Sequence, residues 1–374
     1  MAEAVAEAAE VVAAEVVAAE AAVVVADNLC MSSFKFPKSM LLQWHITERC
    51  NLNCKHCYQE KQKQKELTFS QLLYILDNYK KFIEYLRLKT KNKNLKAHIN
   101  ITGGEPFLRK DFFNLLEEFY KHRKYFSFGI LTNGTLIDSS NIGKLASFKP
   151  TFVQISLEGD KKKNDQIRGE GVFDKSIQAI RLLKKAKIPV LISFTAHRFN
   201  CEDFQEVALV GKKLGVAKVW ADRLIPYGSG SELKKFSLNP KQTKLFFSSM
   251  KSVKDRLEKG FFSKTKIAMD RALQFLIDYQ KPYKCKAGYT LITIDSAGNL
   301  LPCRRMPIIV GNITKKSITE VYFDSSVLKR LRNPDNLDPK CKACVYARIC
   351  GGGLRCLSYA IYKNPFKKDP GCWL

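Results

Sequence analysis

The chain has 374 residues, with 63 lysines and arginines against 36 aspartates and glutamates, a formal charge of +27. A hydrophobic content of 45% is that of a globular protein, and the length allows two domains or one large α/β unit. Outside the N-terminus no run of about 18 apolar residues is free of charge, which argues against a membrane span. The basic surplus points to an acidic partner, but the lysines are scattered instead of interleaved with aromatics, so nucleic-acid binding gains little. Twelve cysteines without a convincing secretory signal favour metal ligation over disulfides, and with it a reducing cytoplasm.

Residues 1–30 form a low-complexity Ala/Val/Glu tail carrying six acids and no base. Its five-residue near-repeat spirals the glutamates around a helix, so it makes a poor docking face. Met31 opens more ordinary sequence, which suggests a misassigned start or a loose tail. From residue 40 to about 225, short apolar strands alternate with amphipathic helices. Strands are predicted at 41–46, 97–102, 127–132, 152–157, 190–195 and 217–224. Helices are predicted at 69–88, opened by a Thr68/Gln71 capping box, and at 111–125, 139–147, 173–187 and 203–214. Six βα units imply a parallel sheet, with functional groups at the C-terminal ends of its strands. The reading divides the chain into the tail, a core at 38–228, a helical linker region at 229–280 and a cysteine-rich domain at 281–374.

The motifs fall at those strand ends. After the first strand, Cys50, Cys54 and Cys57 follow the spacing C-x3-C-x2-C. Three soft ligands suit a [4Fe–4S] cluster and leave its fourth iron without a protein ligand. A zinc site would need a fourth ligand, for which His56 could compete. After the second strand comes Gly103-Gly104-Glu105-Pro106, which is either a turn or a place where backbone approaches a ligand. Asn133 ends the third strand and Ser156 the fourth, and Arg168 follows. Seven more cysteines close the chain: Cys285, Cys303, Cys341, Cys344, Cys350, Cys356 and Cys372.

Together these motifs resemble the radical S-adenosylmethionine (SAM) superfamily, and the C-terminal cysteines resemble its SPASM extension. The resemblance implies a partial (β/α)6 TIM-like barrel followed by a small iron–sulfur domain. It implies a [4Fe–4S] cluster on Cys50, Cys54 and Cys57, with its open iron chelating SAM. Gly103, Gly104, Glu105, Pro106, Asn133, Ser156 and Arg168 would then hold SAM, Arg168 meeting its carboxylate. Two auxiliary [4Fe–4S] clusters would sit on Cys341, Cys344, Cys350 and Cys372 (outer) and on Cys285, Cys303 and Cys356 (inner). That count leaves the inner cluster one thiolate short. Cys201, just past the fifth strand, is either an inert thiol or a hydrogen-atom donor of the kind some peptide epimerases use.

The implied activity is reductive cleavage of SAM to a 5′-deoxyadenosyl radical that modifies a peptide or protein by thioether or C–C cross-linking or by epimerisation. An acidic leader peptide would suit the basic surface. Its recognition would fall to a separate protein or to the barrel, since the stretch before residue 40 is short and simple. A low-potential electron donor is implied as well. The alternatives are a sulfatase-maturating or tetrapyrrole-modifying enzyme of the same family, and a non-catalytic iron–sulfur or zinc protein that binds nucleic acid. Asp222 is the candidate base for the sulfatase reading.

Overall fold

The computed structural model describes residues 34–60, 65–259, 265–280 and 282–374. The tail and Cys30 lie outside the described residues. The chain divides into units 1–37 and 38–374. In the first, the Phe34 and Phe36 rings meet edge to face at 5.1 Å. The described secondary structure belongs to the second.

Six βα units run as β1 Ser39–His45, α1 Phe69–Lys89, β2 Lys96–Thr102, α2 Phe112–Lys121, β3 Ser127–Thr132, α3 Ile142–Ser147 and β4 Phe152–Ser156, then α4 Lys161–Arg168, α5 Val172–Lys185, β5 Val190–Ala196, α6 Phe204–Lys213 and β6 Lys218–Arg223. There follow α7 Pro240–Glu258, β7 Lys266–Ala268, α8 Phe275–Asp278, β8 Leu291–Ile294, β9 Asn299–Leu301 and β10 Gly311–Asn312. Five short helices finish the chain: α9 Ile318–Asp324, α10 Ser326–Arg332, α11 Pro339–Lys342, α12 Ala347–Cys350 and α13 Arg355–Tyr362.

The ten strands form one sheet in the order β10-β9-β8-β1-β2-β3-β4-β5-β6-β7. Pairing is parallel from β8 through β1 to β7 and antiparallel for β8–β9 and β9–β10. This is a partial TIM-like barrel whose sheet is continued by C-terminal segments. The six strands and five helices predicted from periodicity are present, with helix ends trimmed by up to four residues. Among the elements that periodicity did not place are β7, β8 and α4. β7 and β8 are too short, at three and four residues, to show a period. α4 has the sequence KKKNDQIR, with no apolar stripe, and is started by Asp160, whose side chain accepts from the Lys163 N–H.

Packing explains why the long helices form. α1 carries both bonds of the Thr68/Gln71 capping box and buries Leu72, Ile75, Leu76, Tyr79, Phe82, Ile83 and Leu86 at helical spacing. Each such side chain contributes about 1.5–3 kcal/mol on leaving water, and Phe82→Ala would cost about 3–5 kcal/mol. The Tyr79 hydroxyl lies 3.3 Å from the Met40 carbonyl and 3.2 Å from that of His98, locking α1 across β1 and β2. No helix of the described residues is long and apolar enough to cross a membrane.

Candidate active site

The cysteine loop leaves β1 and is strapped to three neighbours. The Gly104 and Glu105 N–H groups donate to the Thr47 and Arg49 carbonyls at 2.9 and 2.8 Å. The Lys55 N–H donates to Ile167 O at 2.9 Å, and the Gly230 N–H to Cys57 O at 2.7 Å. A Cβ on Gly103 would lie 2.4 Å from Thr47 O, and one on Gly104 2.4 Å from Arg49 O. The two glycines therefore let β2 approach the cysteine loop itself, a use the sequence reading had assigned to a ligand. They also border the cleft that the loop overhangs. The Gly103 carbonyl accepts from Gln59 Nε2 at 2.7 Å.

That cleft, of about 190 Å³, is lined by Cys50, Cys54 and Cys57 and by groups at the strand ends, among them Thr132, Asn133, Ser156, Thr195 and Arg223. All three cysteines are free. The Leu52 N–H approaches Cys50 Sγ at 3.5 Å, and Arg168 Nη1 approaches Cys54 Sγ at 3.8 Å. Burial pushes the Cys50 thiol up to about 11, and neighbouring Glu105, Cys54 and Cys57 push the same way. Ser156 Oγ and Ser193 Oγ lie 2.9 Å apart, with Gln154 Nε2 3.2 Å from Ser193 Oγ, so β4 and β5 present a polar ladder to the cleft. The Asn133 amide donates to Asn51 Oδ1 at 3.0 Å, joining β3 to the cysteine loop.

Two buried carboxylates sit behind this wall. Glu158 Oε1 accepts from Arg168 Nη2 at 2.6 Å and lies 3.3 Å from His56 Nε2, while Oε2 accepts from the Thr195 N–H at 2.8 Å. Burial would raise its pKa, but Arg168 and His56 outweigh burial and hold Glu158 down to about 2. Arg168 thus faces a carboxylate and a cysteine sulfur of this chain, with Nε left unpartnered. His56 lines the cleft with the three thiols and turns Nε2 to Glu158. Glu105 accepts only from neutral donors: the Thr132 hydroxyl at 2.8 Å, the Asn133 N–H at 2.8 Å and the Phe107 N–H at 3.3 Å. Burial therefore wins, and Glu105 is pushed up to about 7.

The C-terminal cysteines fall into two groups. Cys303 and Cys356 are hydrogen-bonded, with Cys285 close enough to act on both. The bond from Cys356 lowers Cys303 against burial, helped by Arg305 and Arg304, and raises Cys356 in turn. Cys341, Cys344, Cys350 and Cys372 line a separate hollow with Asp369 and Phe275. Between the groups, Gly351, Gly352 and Gly353 all take positive φ (63°, 88° and 81°), turns that side chains resist. A Cβ on Gly353 would lie 2.5 Å from that of Asp369. Asp369 in turn forms a two-point ion pair with Arg223 at 2.6 and 2.7 Å, tying the C-terminus to the end of β6. Asp222, the candidate base, accepts from Arg305 Nη1 at 2.8 Å. Its own burial pushes it up, but Arg305, Arg271 and Arg223 hold it below the ordinary carboxylate range.

Sequence reasoning thus found the thiols and the strand ends but not the Glu158–Arg168–His56 cluster or the Arg223–Asp369 tie. His56 is far in sequence from Glu158 and Arg168, as Arg223 is from Asp369, and such contacts leave no local pattern. Cys201 lies in a short turn after β5, half-buried, with burial and Glu202 raising its thiol. It is not among the described residues that line the cleft.

The donors fit iron–sulfur ligation: free thiols, N–H and guanidinium groups directed at sulfur, and a cleft beside the N-terminal set. Fold and site define an iron–sulfur protein built on a partial TIM-like barrel. The model of the radical SAM superfamily matches residues 44–209, and that of an iron–sulfur cluster-binding domain, SPASM, matches residues 285–345. The chain is 26% identical over 348 residues to an AdoMet-dependent heme synthase of Methanosarcina barkeri, covering 89% of this chain and 95% of that one. It is 28% identical over 343 residues to a mycofactocin maturase of Mycolicibacterium smegmatis, covering 88% and 82%. Streptococcus suis SuiB bound to S-adenosylmethionine has a similar fold, with TM-score 0.69, 21% identity and coverage of 91% and 78%.

The chain carries a radical SAM domain and a SPASM domain. It is an enzyme that binds a [4Fe–4S] cluster, SAM and auxiliary iron–sulfur clusters, and it reductively cleaves SAM to a 5′-deoxyadenosyl radical for hydrogen-atom abstraction. The SPASM match stops at residue 345, so Cys350, Cys356 and Cys372 are grouped by the structure alone.

Proposed function

We propose that Cys50, Cys54 and Cys57 hold the SAM-binding cluster and that the substrate modified in the adjoining cleft is a peptide. Cys341, Cys344, Cys350 and Cys372 are the proposed ligands of an outer auxiliary cluster. Cys285, Cys303 and Cys356 are those of an inner one, one thiolate short. Gly103, Gly104, Pro106, Asn133 and Ser156 border the SAM position, and Glu105 holds Thr132 and the Asn133 N–H in place. Arg168, fixed by Glu158, offers positive charge to the Cys54 thiolate. A low-potential electron donor and a reducing, oxygen-poor cytoplasm complete the reading.

The observation that carries the peptide substrate is the shape of the site. The cleft continues into a hollow of about 310 Å³ with which it shares Glu60, and a third hollow shares Glu60 and Tyr227 with the second. Pro226, Gly228, Ser231 and Lys363 line its outer end. A long groove with polar groups along mixed walls suits an extended chain with amides to satisfy. The mycofactocin maturase supports this reading, and the surplus of basic residues favours an acidic leader. A tetrapyrrole is the second reading, supported by the match to 95% of the heme synthase.

Anaerobically reconstituted enzyme should be given SAM and dithionite with either a short peptide encoded beside its gene or iron coproporphyrin III. The peptide reading expects extra 5′-deoxyadenosine and a peptide lighter by hydrogen, or epimerised at unchanged mass. Conversion of the porphyrin alone would replace it with the second reading. Cys54→Ala should bring 5′-deoxyadenosine below detection in either case.

A further inference from the structure

The second hollow contains donors for which the site described above has no use. Residues 304 and 305 are successive arginines that both line the cleft, yet they are treated differently. Arg305 is neutralised by Asp222 at 2.8 Å. Arg304 has no carboxylate within ion-pair distance among the described residues. Its guanidinium lies over the Tyr58 ring, 5.5 Å from the centroid, in the wall shared by the cleft and the second hollow. Beyond the neighbouring Cys303 sulfur no anion among the described residues faces it, and a half-buried guanidinium with no carboxylate partner is costly, so the position favours an anionic visitor.

His45, at the end of β1, lines the same hollow. Gln59 Nε2, which donates to Gly103 O, also lies 3.1 Å from His45 Nδ1, so Nδ1 is the acceptor and Nε2 carries the hydrogen. That Nε2 is buried and has no partner. Burial, with Arg304 nearby, holds the imidazole neutral by lowering it to about 3. Three acids also line the hollow, and each already has partners of its own. Asp295 accepts from Ala297 N, Asn299 N and Asn299 Nδ2 at 3.0, 2.8 and 2.9 Å, Glu60 is hydrogen-bonded to Tyr227, and Glu48 is likewise engaged.

We propose that this hollow is a carboxylate-binding subsite for the substrate, with the Arg304 guanidinium and the His45 Nε2–H as its donors. The proposal rests on the reading that the reacting group lies in the adjoining cleft, and it adds that an acid group lies beside it. Glutamate of a peptide and propionate of a tetrapyrrole share that chemistry.

The test is equilibrium binding to the cluster-loaded, SAM-bound enzyme in two arms. One compares a glutamate-containing pentapeptide with its glutamine counterpart. The other compares iron coproporphyrin III with its methyl ester. The acid form should bind about tenfold tighter in at least one arm. Arg304→Gln should erase that preference and Arg304→Lys should keep part of it. Discrimination in the porphyrin arm alone keeps the subsite and counts against a peptide substrate. No discrimination in either arm overturns the subsite, while the peptide reading still stands or falls by its own product assay. Survival of the preference in Arg304→Gln also overturns it. If that survival came with a shifted auxiliary-cluster potential, Arg304 would be a partner of the inner cluster instead.

Discussion

The two carboxylates buried at the barrel mouth have the same covalent group and opposite fates. At the β2–β3 end, Glu105 meets only neutral donors and is pushed up to about 7. At the β4–β5 end, Glu158 meets Arg168 and His56 and is held at about 2. Measured from the ordinary 4.5, each difference corresponds to about 3 kcal/mol, with opposite sign. Burial alone therefore does not set the charge of this site. The placement of one arginine does, and it puts fixed negative and positive charge beside Cys54 while leaving the GGEP turn close to neutral.

The largest effect that could break this contrast is loss of the charged pair. Glu158→Gln strands the Arg168 guanidinium, and unfolding by urea should show a loss of about 3–5 kcal/mol. An unchanged midpoint would mean the pair is not closed in solution. Acid titration is a poor substitute, because this contribution is present above pH 4.5 and is lost only as pH falls through about 2.

Glu105 gives the opposite slope. Its folded form binds the proton more tightly than the unfolded chain, so stability falls as pH rises from 4.5 through about 7, by about 3 kcal/mol. Urea midpoints at pH 5 and pH 8 would show this, and Glu105→Gln should flatten the difference. A midpoint that rises over that interval, in a way that depends on Glu105, would contradict the assignment. The smallest effect sharpens the same point. Thr132→Val removes one donor to Glu105 and should cost about 1–2 kcal/mol at pH 8, less at pH 5.

Most of the barrel was readable because period and chemistry agree there. The α1 stripe from Leu72 to Leu86 and the box at Thr68 each state the helix locally. The cysteine spacing likewise states its own loop. α4 was hidden because a solvent-facing helix of lysines carries no stripe, and its end is what delivers Arg168 to Glu158. The role of Gly103 and Gly104 was half legible. Their smallness is plain in the sequence, but that it serves the Thr47 and Arg49 carbonyls needs β1 and β2 side by side. Arg223 and Asp369, 146 residues apart, meet only because the C-terminus returns to β6.

Electron paramagnetic resonance of the reduced, fully loaded enzyme, recorded with and without SAM, addresses the central claim most directly. The account predicts several cluster signals, of which SAM changes only one, and Cys54→Ala should delete that one while sparing the rest. Signals indifferent to SAM, or zinc recovered from the Cys50–Cys57 loop, would contradict it.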